Sequence, residues 1–257
     1  MAAMDTLIAF YQNIGPALSL LVIATFLLAG AIKGVIGLGL PTIAMGLLGL
    51  AMSPAQAAAL LIVPSTLTNL WQLAAGGHLP ALLRRLWPML AMIFIGTLLG
   101  SAWLGINSGE WAAQALGGAL LVYALYGLFG RGFSVPLVWE RWLGPLCGLL
   151  TGLITAATGV FVIPAVPYLQ GLGLNRDEMV QALGLSFTVS TLALALGLAG
   201  QDALGAEALG ASLLVLAPAL LGMLCGQWLR QRISAALFKR CFFTGLAVLG
   251  VHLLLNG

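Results

Sequence analysis

Charge is what this sequence has least of. Of 257 residues, 10 are lysine or arginine and 7 are aspartate or glutamate, 7% in all, where a soluble domain carries roughly 25%. That shortage excludes a water-facing globular surface. With 61% hydrophobic residues and a mean hydropathy of +1.09, the chain reads as an integral membrane protein whose main partner is the lipid bilayer. No aspartate or glutamate falls in the middle of any apolar run, so paired carboxylates at membrane depth are absent and strong proton coupling through a buried carboxylate is not supported. The 3 cysteines and 2 histidines share no ligand-like spacing, so neither a disulfide framework nor a metal site is expected, and no cofactor is implied. Cys147, Cys225 and Cys241 are expected as small buried hydrophobes. No Ser/His dyad stands at membrane depth either, so an enzyme is not expected.

Two further absences narrow the class. The short alternating strands of a membrane barrel are missing, while apolar runs of helical length recur throughout, so the spans are helices. Residues 1–13 carry Asp5 and no basic residue; they lack the positive flank of a secretory leader and are expected to stay. The net charge of +3 sits in short gaps between spans, not on one face, so no nucleic-acid partner is implied.

What is there is a single transmembrane domain, 1–257, made of apolar segments near 17–33, 36–51, 54–75, 86–105 and 110–129, then 143–158, 160–173, 179–200, 206–229 and 234–255. The second of each set is short and interrupted by Gly and Pro, so each stands either as a full crossing or as half of a re-entrant hairpin. That gives an all-α polytopic protein of eight to ten membrane segments. Arg84 and Arg85, Arg131 and Arg141, Arg176, and Arg230, Arg232, Lys239 and Arg240 mark four alternate gaps. The positive-inside rule puts those gaps in the cytoplasm and both termini outside. Tryptophans 71, 87, 103, 111, 139, 142 and 228 fall near segment ends, as aromatic belts do.

One stretch interrupts the grease most sharply. Gly30-Ala-Ile-Lys-Gly-Val-Ile-Gly-Leu-Gly-Leu-Pro41 combines glycines, a proline and Lys33, which apart from Asp5 is the only Asp, Glu, Lys or Arg among the first eighty residues. Burying a charge in hydrocarbon costs about 2.5–3.5 kcal/mol on insertion scales, and irregular backbone at membrane depth needs protein or a water-filled cavity around it. The stretch is expected to be a broken helix at a binding site. It also has an echo. Gly30 and Gly37 find Gly152 and Gly159 at an offset of 122; Pro41 finds Pro164 one residue further on; Ser53-Pro-Ala-Gln56 finds Asn175-Arg-Asp-Glu178 at 122, both reading as capping boxes. Gly96-x-x-x-Gly100 finds Gly222-x-x-x-Gly226 at 126, a spacing that lets helices approach closely. The halves, roughly 17–129 and 143–255, each hold an odd number of crossings, so the repeats are expected to be inverted, which points to a secondary transporter with its site near the midplane.

These residues resemble the sulfite exporter TauE/SafE family. The resemblance rests on the run through Gly37, Gly39 and Pro41, its echo from Gly159 to Pro164, and the third-helix starts Ser53-Pro-Ala-Gln-Ala-Ala-Ala and Asn175-Arg-Asp-Glu-Met-Val-Gln-Ala, and it extends over about 17–255. It implies a carrier in a bacterial-type inner membrane for a small anionic substrate such as sulfite, an organosulfonate or a short organic acid. Export driven by the anion gradient and the membrane potential is the expectation. An anion channel and a proton-coupled importer of a similar substrate are the alternatives, and a homodimer is left open.

Site candidates follow from the breaks and from polar stripes. Lys33 is either the counter-charge of a bound anion or a lysine reaching back to the interface. Gly37, Gly39 and Pro41 shape the first break, Gly159 and Pro164 the second, with Thr155 and Thr158 either offering hydroxyls to the cavity beside it or bonding between helices or back to the carbonyl four residues earlier. In the third helix of the first half Ser65, Thr68, Asn69 and Gln72 recur at i, i+3, i+4 and i+7, one face of a helix; Thr188 and Thr191 are on the equivalent helix. Interhelical hydrogen bonding competes with substrate binding for each hydroxyl, while Asn69 and Gln72, harder to bury, lean toward the site. Gln181 reads as a capping or rim group.

Overall fold

The computed structural model describes residues 2–74, 76–103, 110–130 and 132–256, with side chains for all of these except 2–9, 110 and 235. The first half runs α1 (Ala2–Ile36), α2 (Leu40–Leu48), α3 (Pro54–Ala74), α4 (Leu79–Trp103) and α5 (Glu110–Phe129). The second runs α6 (Leu137–Thr158), α7 (Ala165–Gly171), α8 (Arg176–Ala199), α9 (Ala206–Leu214), α10 (Leu216–Leu229) and α11 (Ala235–Asn256). Among the described residues, seven helices are long and apolar enough to cross a membrane, with α9 and α10 together making one of them. The α6 helix, at 22 residues, equals them in length but is diluted by Glu140, Arg141 and three threonines. The chain is a multi-pass, all-helical membrane protein.

The short second segments resolve against full crossings. At 1.5 Å per residue, the 9 residues of α2 and the 7 of α7 reach about 14 and 10 Å, well short of the roughly 30 Å of hydrocarbon. Each follows a break. Gly37 and Gly39 sit at φ 78° and 109°, a region where an L side chain is strained, and Pro41 follows in the first turn of α2, where its missing N–H is harmless. Gly159, at φ 69°, ends α6, and residues 160–164 run irregularly into α7. Both predicted capping boxes are present. Asn175 accepts from the amides of Asp177 and Glu178 at 3.0 and 2.9 Å, and Gln56 N–H meets Ser53 Oγ at 3.3 Å.

Packing pairs the halves reciprocally. Matched by the sequence offsets, α1 corresponds to α6, α3 to α8, α4 to α9–α10 and α5 to α11. The α1 helix packs on α10 as α6 packs on α4, α3 meets α9 as α8 meets α4, and α3 meets α8 as α5 meets α11. Glycine permits the closest of these approaches. A Cβ at Gly30 or Gly34 would collide with the carbonyls of Ala219 and Met223, and one at Gly222 or Gly226 with those of Leu27 and Ala31. Gly226→Ala is therefore expected to lower unfolding free energy by about 1–3 kcal/mol, since backbone cannot rotate away. Thermal unfolding in detergent checks it, with Gly245→Ala, where nothing lies within 4 Å, as the silent control.

Helix ends differ from the sequence expectation for physical reasons. The α4 and α6 helices begin several residues earlier, taking in Arg84, Arg85, Glu140 and Arg141, because a helix continues one or two turns into the headgroup layer, where long side chains stay solvated. The run 206–229 is jointed at Val215; the Pro218 ring clashes with the carbonyl four residues earlier. Cys225 and Cys241 are exposed rather than buried, lying on outer helix faces among leucines. Within α3, Pro64 leaves the Leu60 carbonyl without its helical donor, and Ser212 of α9 supplies it at 2.8 Å while accepting from Val63 N–H at 3.0 Å. The splint across this kink was not anticipated.

Candidate functional site

The last turn of α1 carries Lys33 inward. Its side chain is 3% exposed, which excludes the alternative in which it reaches back to the interface. The ammonium donates to Thr68 Oγ1 at 2.9 Å and to Asn69 Oδ1; among the described residues its third N–H has no partner. No carboxylate pairs with it, since Arg85–Glu140 is the one ion pair among the described residues. The charge is held by neutral oxygens and by the negative end of the α1 dipole.

Those oxygens belong to a directed network. Thr68 donates its own proton to the Pro64 carbonyl at 2.7 Å and so accepts from Lys33. Thr191 of α8 donates to the Phe187 carbonyl at 2.7 Å, which leaves its oxygen as acceptor. Asn69 Nδ2 donates to Ser65 Oγ at 3.1 Å and to Thr191 Oγ1 at 3.3 Å, and Ser65 and Thr191 lie 3.1 Å apart. The order of donors is then fixed: Ser65 gives to Thr191, and Asn69 gives to both and turns its carbonyl oxygen to the lysine. One buried relay thus joins α1, α3 and α8, and Asn69 and Thr191, equivalent in the two halves, touch each other.

One turn further along α3, Gln72 donates from Nε2 to the Gly37 carbonyl at 2.5 Å. That carbonyl is one of those a helix end leaves unpaired, so Gln72 closes the first break. Beside it opens a cleft of about 180 Å³ lined by Lys33, Gly37, Trp71, Gln72, Gln227 and Arg230 among others, and among the described residues no acidic side chain lines it. A small anion entering there meets two cations and two amides.

The candidates of the second half do other work. Thr155 donates to the Thr151 carbonyl and Thr158 to that of Ile154, each at 2.7 Å. Thr158 Oγ1 accepts from Val160 N–H, and Thr151 Oγ1 from Ala165 N–H, both at 3.1 Å. Two amides at the second break, those of Val160 and Ala165, are therefore consumed locally. Thr158 borders an apolar groove against α5, and neither Thr155, Gly159, Pro164 nor Thr188 lines the Lys33 cleft. Thr188 donates to the Gly184 carbonyl at 2.7 Å. Gly39 and Pro41 shape α2 without lining the cleft. Gln181 is the capping group expected: it donates to the Leu73 and Gly76 carbonyls and accepts from His78 N–H. Sequence reasoning missed Gln227 and Arg230, whose only signal was their i, i+3 spacing at the end of a long apolar run.

Residues 22–253 match the family model described as sulfite exporter TauE/SafE. The chain belongs to this family. Its members are membrane transporters that export sulfite or related anions, and an acid-free cleft floored by a buried lysine suits that class. No curated protein and no solved structure matches the chain.

Proposed function

We propose that this TauE/SafE protein exports a small anion, sulfite or an organosulfonate, by alternating access through the Lys33 cleft. The observation that carries the reading is the Lys33 ammonium, buried without a carboxylate at the edge of a cleft that also presents Arg230. A bound anion supplies the missing counter-charge. The two halves act as inverted repeats, a reading supported by the reciprocal pairing of α1 with α10 and α6 with α4. Both termini lie outside a bacterial-type inner membrane, and the Arg230 side of the cleft faces the cytoplasm by the positive-inside rule. Ser65, Asn69 and Thr191 close on one another instead of lining open space, which favours a carrier over a continuous pore.

Export of an anion down an inside-negative potential gains about 2.3 kcal/mol per charge per 100 mV, so no acid at membrane depth is required. In proteoliposomes loaded with sulfite, efflux is expected to saturate, to show counterflow, and to speed up when the interior is made negative. Efflux that is indifferent to reversal of the potential overturns the energetic part of the proposal; efflux without saturation or counterflow overturns the carrier.

A further inference from the structure

Gln72 contributes a second requirement to the cleft. Its side chain is 7% exposed, and its Nε2 is held by the Gly37 carbonyl. A carbonyl only accepts, so this bond fixes which end of the amide is nitrogen. The other end, Oε1, is buried and has no hydrogen-bond partner. A stranded acceptor is unfavourable in a low-dielectric interior, and it is relieved only by a donor. Among the described residues no side chain of the cleft supplies one: Lys33 spends two of its N–H groups on Thr68 and Asn69, and no hydrogen bond joins Lys33, Trp71, Gln227 or Arg230 to Gln72 Oε1.

Resting on the reading of this cleft as an anion site, we infer that the cleft selects monoanions carrying an O–H or N–H donor of their own, the charged oxygens turned to Lys33 and Arg230 and the donor to Gln72 Oε1. Hydrogen sulfite and sulfonates bearing a hydroxyl group on the second carbon have this chemistry. A fully deprotonated oxyanion or a plain alkanesulfonate, whose polar atoms are all acceptors, leaves Oε1 unpaired. Hydroxyl is better solvated than methyl, so a cleft without an acceptor prefers the alkyl ligand. A preference for the hydroxyl therefore reports an acceptor inside.

The test compares 2-hydroxyethanesulfonate with propane-1-sulfonate, which match in charge and shape, by calorimetric binding to the purified chain in nanodiscs. The hydroxyl ligand is expected to bind at least about tenfold more tightly, a modest fraction of what buried polar sites achieve against analogues lacking the group. In Gln72→Leu the two affinities are expected to converge. Equal affinities for the wild-type protein overturn the inference, and so does a preference that survives in Gln72→Leu. The wild-type comparison stands even where that variant does not fold. If neither sulfonate binds while sulfite does, the donor requirement fails and the anion site stands; if sulfite fails as well, both fall together.

Discussion

Lys33→Met is expected to weaken anion affinity at least a hundredfold while the protein stays folded. Methionine keeps most of the length and flexibility of the stem and removes only the charge. A unit charge about 4 Å from a bound anion contributes about 4 kcal/mol at an effective dielectric constant near 20, and a hundredfold change corresponds to about 2.7 kcal/mol. Arg230, at the exposed end of α10, retains less influence because solvent screens it. The effect on stability is smaller because two terms oppose. Removing the ammonium strands Thr68 Oγ1 and Asn69 Oδ1, about 1–3 kcal/mol for a buried acceptor left unpaired. It also removes a buried charge that has no ionic partner, whose desolvation penalty is several kcal/mol. Calorimetric titration of sulfite, run beside thermal unfolding of the same preparation, separates the two readouts. Unchanged affinity in a folded variant removes Lys33 from the site.

The sequence carried the membrane class, the helix count to within the treatment of two short segments, and both breaks, because these depend on local properties: composition, run length, and the backbone freedom of Gly37 and Gly159. The polar face Ser65–Thr68–Asn69–Gln72 was equally legible, since helical spacing alone puts those residues together. What Lys33 touches was not. Whether a lysine near a helix end turns outward or inward depends on which side chains lie within its reach, and the approach of Lys33 to Thr68 and Asn69 of α3 is tertiary. Thr155 and Thr158 allowed two readings, a hydroxyl facing the cavity or a bond within or between helices, and their hydroxyls return to carbonyls four residues back, a local bond that needs no partner helix. The two breaks resemble each other in backbone geometry more than in chemistry: the position 122 residues after Lys33 is Thr155, which carries no charge. Arg230 was read as a marker of orientation, a role that reveals nothing of the cleft it borders.

Asn69→Asp is expected to abolish anion binding by making the counter-ion part of the chain. Asparagine and aspartate have the same shape, so the carboxylate occupies the position from which Asn69 Oδ1 already accepts the lysine's proton. A tethered carboxylate at hydrogen-bond distance neutralises the ammonium permanently, and a free anion must then compete with an intramolecular one. Sulfite affinity is expected to fall at least a hundredfold, as in Lys33→Met. The thermal midpoint is expected to match or exceed that of the wild-type protein, because charge-assisted hydrogen bonds are roughly twice as strong as neutral ones. The two donors that Asn69 gives to Ser65 and Thr191 are lost, but the Ser65 hydroxyl is free to turn its proton to the new acceptor. Combining the changes exposes the pairing. In Lys33→Met with Asn69→Asp the carboxylate is buried without its cation, and the double variant is expected to be about 3–5 kcal/mol less stable than Asn69→Asp alone. Thermal unfolding of the four proteins as a double-mutant cycle measures that coupling. An Asn69→Asp protein that binds sulfite as the wild type does would mean that the anion never meets the Lys33 charge, whatever the cycle gives for stability.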